Sequence, residues 1–153
     1  MYKLVAASIV TAITLSVAVP VVWADTALSG KEIKQLISGN TAVGERWKKR
    51  VGREYISKEV MFKTYFYVNG QLVEKGDAVV GGASASQIPA HGTWKVKKNK
   101  LCFTFSDSLR NKGKQMCRKV IQKDDGTYEL TTGKGEVKRV WKEILPGNPH
   151  NLE

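Results

Sequence analysis

The chain has 153 residues with 25 Lys or Arg against 14 Asp or Glu, a formal net charge of +11, and only two histidines and two cysteines. That length makes one domain with a sizeable core and leaves no room for a second. So few His and Cys side chains exclude a structural zinc site of local ligand spacing, and the basic excess favours anionic partners while saying nothing of the fold.

Residues 1–24, MYKLVAASIVTAITLSVAVPVVWA, form the first predicted element. Lys3 supplies a positive n-region, no charge occurs from Leu4 to Val22, and Val22-Trp23-Ala24 resembles a peptidase site, so the reading is an export signal with a mature chain starting at Asp25. The alternative is an inner-membrane anchor over residues 4–22, because 19 uncharged residues approach the roughly 20 that span a bilayer. No cysteine follows the apolar run, which argues against a lipid-modified terminus. Export places residues 25–153 in the periplasm or outside the cell, with a charge of +10 once Lys3 is removed.

Ser29-Gly30-Lys31-Glu32 fits a capping box, and Ile33, Leu36 and Ile37 then share one face of a helix over about 29–38 that Gly39-Asn40 stops. From about 59 the period becomes that of a strand. Val60, Phe62, Phe66 and Val68 alternate with Lys63, Tyr65 and Tyr67, and Asn69-Gly70 predicts a two-residue type I′ hairpin turn. Residues 76–92 are rich in Gly, Ala and Ser and read as a loop or a weak edge strand at Ala78 to Val80.

Strand character returns at Thr93 to Lys97 and Leu101 to Phe105 around a turn at Lys98-Asn99, and again at Met116 to Ile121. Turns at Asp124-Asp125-Gly126 and Gly133-Lys134-Gly135 separate two further strands, ending at Leu145, and a tail over 146–153 runs on the surface. The order predicts a mainly β domain: an antiparallel meander forming a curled sheet or a small up-and-down barrel, with one short N-terminal helix. Trp94, Phe103, Tyr128 and Trp141 are its expected core.

Cys102 and Cys117 fall on two arms of one hairpin. An even count in an oxidising compartment reads as a disulfide, since redox thiols more often come as C-x-x-C. A loop of this length is worth about 3 kcal/mol in the chain-entropy account.

For chemistry, Ser84 or Ser86 with His91 and Asp77 could be drawn as a hydrolytic triad, but such letters occur in any chain of this kind. Asp124 and Asp125 are neighbours because turns favour Asp. The basic residues carry more information. Beyond the run Arg46, Lys48, Lys49 and Arg50, a candidate anion-binding face comprises Lys95, Lys97, Lys98, Lys100, Arg110, Lys112, Lys114, Arg118 and Lys119, competing with the plainer reading of a solvated exterior. Tyr65, Tyr67 and Trp47 beside basic residues could stack on nucleic acid, but no nucleic-acid module signature accompanies them.

Leu28-Ser29-Gly30-Lys31-Glu32-Ile33, Gly39-Asn40-Thr41, Gly92-Thr93-Trp94, Leu101-Cys102 with Cys117, Asp125-Gly126-Thr127-Tyr128 and Pro146-Gly147-Asn148 occur in an order that resembles a family of small exported proteobacterial proteins known as a domain of unknown function. The resemblance covers most of residues 28 to 149. It implies an exported β-rich domain with a cysteine pair, and it brings no catalytic residue and no cofactor. In outline the predicted fold is also similar to lipocalin-like barrels, although no lipocalin entry motif is present.

The expected function is therefore a non-enzymatic exported domain that binds an anionic envelope component or an acidic protein through its basic face. A lipocalin-like carrier of a small apolar ligand, with residues 76 to 92 as a lid, is the alternative. A hydrolase using His91 is a weaker one.

Overall fold

The computed structural model describes residues 25–47, 59–80, 83–86, 89–107 and 112–153. Residues 1–24, on which the export signal was read, lie outside them, as does Arg110. The elements in chain order are β1 (Thr26–Ala27), α1 (Gly30–Ile37), β2 (Asn40–Trp47), β3 (Glu59–Phe66), β4 (Gln71–Val80), β5 (Ala83–Ser86), β6 (Ala90–Lys97), β7 (Lys100–Phe105), β8 (Met116–Gln122), β9 (Tyr128–Thr131) and β10 (Val137–Pro146).

Eight of these strands pair in the order β2-β3-β4-β6-β7-β8-β9-β10, and β10 returns antiparallel to β2, so the sheet closes into a barrel. The meander expected from the turn spacing is therefore closed. β1 extends the sheet beside β8, and β5 folds back on the far half of β4. Closure removes the exposed strand edges that an open sheet would carry.

β2 was not foreseen, since strands were expected only from about 59. Gly39-Asn40 looked like a stop, and β2 lacks alternation because Thr41, Ala42 and Val43 are all buried. Its inner face meets the core, and on its outer face Thr41 Oγ1 donates to the Gly147 carbonyl of the C-terminal tail (2.7 Å), while Tyr67 Oη, just past β3, donates to that of Leu152 (3.3 Å). The segment read as a Gly-rich loop is also more regular than expected: β4 runs through Val80, and Ala83–Ser86 pairs back on it.

The turns follow a common rule. Tyr67, Lys123 and Thr132 each accept from the N–H of a glycine three residues on, at 3.0 to 3.1 Å, and only that glycine takes positive φ. The result is a type I turn followed by a left-handed residue, not the two-residue turn predicted at Asn69-Gly70. The two-residue turn with both φ positive lies instead at Lys98 (47°) and Asn99 (55°).

Asn99 also anchors α1, its Oδ1 accepting from Gly30 N–H at 2.8 Å. The capping box forms as read: Ser29 N–H donates to Glu32 Oε2 (2.7 Å) and Glu32 N–H to Ser29 Oγ (3.4 Å). Ile33 and Ile37 are fully buried in the core with Phe62, Phe66, Leu72, Trp94, Leu101, Phe103, Phe105, Val120, Leu130 and Trp141, so the helix plugs one end of the barrel. Trp94, Phe103 and Trp141 are core residues as expected, and Tyr128 is half-buried against them.

The hydrogen bond from Ser29 is the first cause that holds the Glu32 carboxyl below its ordinary value of 4.5. A carboxyl lowered in the folded state stabilises above its unfolded pKa, and that stabilisation disappears as pH falls. The melting temperature of Glu32→Ala is accordingly expected below that of the parent at pH 7, with the gap narrowing as pH falls below 4.5. A gap that is constant with pH would place the effect elsewhere.

Candidate functional site

Because the strand period is two, β6, β7 and β8 send alternate residues outward. Trp94, Leu101, Phe103 and Val120 point into the core, which leaves Lys95, Lys97, Lys100, Lys119 and Cys117 on the outward face, with Cys102 of the same parity but itself buried. Lys97 is the strand partner of Lys100, and Lys119 lies one residue past the Leu101↔Arg118 pair, so these three lysines cross three strands side by side. Lys95 faces Cys102, which faces and is bonded to Cys117. Lys98 adds a fifth cation at the turn.

The disulfide braces the arms that the sequence placed opposite each other. β7 and β8 share only three register pairs, Leu101↔Arg118, Cys102↔Cys117 and Phe103↔Met116, so the covalent link sits in the middle of a short seam. Lys95, Lys97, Lys98 and Lys119 are exposed and Lys100 half-buried. Among the described residues none of the five forms an ion pair. The carboxylates of Asp25 and Glu129 are engaged with Lys123, and that of Asp107 with His91.

Lys112 and Lys114 are exposed on the segment joining β7 to β8, where Lys112 bridges Phe105. Arg118 departs from this group. It shares the inward face of β8 with Val120, is half-buried, and donates to the Cys117 carbonyl at 2.9 Å. Burial first, and then the neighbouring Arg139, lower its pKa, against an opposing pull from Glu136.

Inside the barrel, Arg139 of β10 and Glu74 of β4 form an ion pair with side-chain exposures of 12% and 5%. Thr64 Oγ1 donates to Glu74 Oε2 at 2.9 Å, and the guanidinium lies over the rings of Phe62 and Phe103 at 4.8 and 4.9 Å. Sequence reading missed this pair, because Glu74 and Arg139 are 65 positions apart and each sits in a strand among other charged residues. The one available cue was parity: Glu74 occupies an inward position two residues after Leu72.

A cavity of about 10 Å³ remains beside the pair, lined by Thr64, Glu74, Phe103, Leu130, Arg139 and Trp141. That is room for about one water, against the roughly 300–1,000 Å³ of a small-molecule pocket.

His91 does have a carboxylate partner, though not the one imagined. Its Nδ1 lies 2.7 Å from Asp107 Oδ2 and its N–H donates to Asp107 Oδ1 at 2.6 Å, while Asp77 and Ser86 are strand partners of each other. Desolvation raises the Asp107 pKa, but the hydrogen bonds from His91 outweigh it and the carboxyl is held below its usual value. Ser106 Oγ donates to the His91 carbonyl and not to its ring. Both members of the dyad are exposed, and no cluster of three or more metal-ligating side chains occurs among the described residues.

No family model, no curated protein and no solved structure matches this chain. The class rests on the fold alone: a mainly β domain built on a closed eight-stranded antiparallel barrel, with one short helix among the described residues and a disulfide. Among the described residues no helix is long and apolar enough to cross a membrane.

Proposed function

We propose that this chain is an exported, non-catalytic barrel that binds an anionic component of the cell envelope through its lysine face. The observation that carries the reading is the group of Lys95, Lys97, Lys98, Lys100 and Lys119, gathered on one exterior surface without ion-pair partners among the described residues. Lysines directly opposite one another on neighbouring strands repel, so the arrangement costs stability unless anions meet it. The disulfide is consistent with an oxidising compartment, and residues 1–24 supply the export signal in this reading.

The interior supports the same choice. Glu74, Arg139 and the aromatic core line it, and the cavity beside them, about 10 Å³, is far smaller than an apolar ligand needs.

Purified protein is expected to be retained on phosphate-, sulfate- or carboxylate-bearing surfaces at low ionic strength and released as salt rises, because exposed charges more than about 10 Å apart are screened at 0.1 M. Retention that does not change with salt would remove the electrostatic basis of the proposal.

A further inference from the structure

The composition of the lysine face narrows its partner, on the reading that the face binds anions at all. Every cation on it is lysine. Arginine is the residue suited to forked, two-bond recognition of a single carboxylate or phosphate, whereas lysine is a compact point charge on a flexible stem that needs no fixed orientation of the anion. The one arginine of β8, Arg118, is turned to the inner face. The face is also a strand surface without a cavity among its described residues, and Lys97, Lys100 and Lys119 succeed each other at the strand spacing of roughly 4.8 Å, with Lys95 about 6.8 Å along β6 from Lys97. Such an array meets many anions spread in a plane, not one group held in a cleft.

The disulfide has a role in that array. Lys100 and Lys119 project from the two strands that Cys102 and Cys117 join, next to the bonded pair. Their repulsion falls on the short β7–β8 seam, and the covalent bond keeps them in one plane against it.

We propose that the Lys95, Lys97, Lys98, Lys100 and Lys119 face lies flat on the phosphates of an anionic phospholipid bilayer, with the barrel wall parallel to the surface. Juxtaposed lysines of this kind gain about fivefold in partitioning each.

The test is sedimentation of the full chain with phosphatidylglycerol vesicles, with phosphatidylcholine vesicles subtracting any contribution of the apolar N-terminal residues. Lys95→Gln, Lys97→Gln, Lys100→Gln and Lys119→Gln combined should weaken binding to phosphatidylglycerol by about a hundredfold or more. Lys34→Gln, Lys63→Gln, Lys75→Gln and Lys134→Gln combined, which remove equal charge elsewhere, should weaken it by less than about tenfold. Thermal melts of both variants establish that the barrel persists, since the altered side chains lie outside the core.

Equal losses in the two variants would overturn the placement of the surface. Binding to polyglutamate but not to phosphatidylglycerol would overturn the phosphate inference while sparing the anion-binding reading, and would point to an acidic protein. Binding to lipopolysaccharide alone would move the phosphates from phospholipid to glycolipid and overturn the bilayer claim. Binding to none of the three would end both readings.

Discussion

Gly44→Ala is expected to destabilise the barrel by about 3 kcal/mol or more, the upper range for forcing atoms into a filled interior. Gly44 lies in β2 between Phe62 on one neighbouring strand and Trp141 on the other, at the seam where the first barrel strand meets the last. A Cβ there would meet the Val140 carbonyl oxygen at 2.0 Å and Trp141 Cα at 2.8 Å, both backbone atoms that cannot swing aside. The strand pair would have to part, and with it the closure of the sheet. Against a total stability of about 5–15 kcal/mol this is a large share. Gly133→Ala is the matched control, because a Cβ at that turn position meets nothing within 4 Å, and it should fall within about 0.5 kcal/mol of the parent. Urea titration followed by tryptophan fluorescence measures both. Coincident curves for Gly44→Ala and the parent would mean that β2 and β10 do not approach as closely as a closed barrel demands.

That seam also shows how far the sequence could be read. Strands with one wet face declare themselves: Phe62 and Phe66 alternate with Lys63 and Tyr65, and Trp94 and Val96 with Lys95 and Lys97, so β3 and β6 were legible, although Val68, expected on the same face as Phe66, lies past the end of β3 and is exposed. The capping box at Ser29 and Glu32 is legible for a similar reason, since its two hydrogen bonds span only three residues. β2 was not, because its inward positions are the small Ala42 and Gly44 while the outward Thr41, bonded to Gly147 of the tail, and Val43 are buried too, so the alternation that marks a half-buried strand is absent. The tail's docking is a long-range event with no local sign. On the candidate face, parity places Lys95 and Lys97 outside, but Lys119 joins them only through the register that Cys102 and Cys117 share. Arg118 sits one residue away and faces inward for the same reason, a distinction that a run of basic letters does not display.

Glu74→Gln is expected to destabilise the fold by about 3–5 kcal/mol, because it leaves the Arg139 guanidinium buried without its carboxylate. The loss is not the worth of the pair. Two charges brought out of water into a barrel interior repay their desolvation only through close geometry, here the ion pair itself, the Thr64 hydroxyl and the faces of Phe62 and Phe103 on either side of the guanidinium. Replacing both members together tests this directly: Glu74→Leu with Arg139→Met should recover most of the stability that either single change removes, since apolar side chains of similar volume suit the surrounding Leu130, Phe103 and Trp141. A double-mutant cycle by urea denaturation gives the coupling energy, and simple additivity of the two single losses would show that Glu74 and Arg139 do not act as a pair. The cycle also separates interior from exterior, because Glu74 and Arg139 lie on the core side of the barrel wall and the proposed lysine face on the other. A Glu74→Leu, Arg139→Met protein that remains folded should keep its affinity for phosphatidylglycerol vesicles, whereas an anion site inside the barrel would lose it with Arg139.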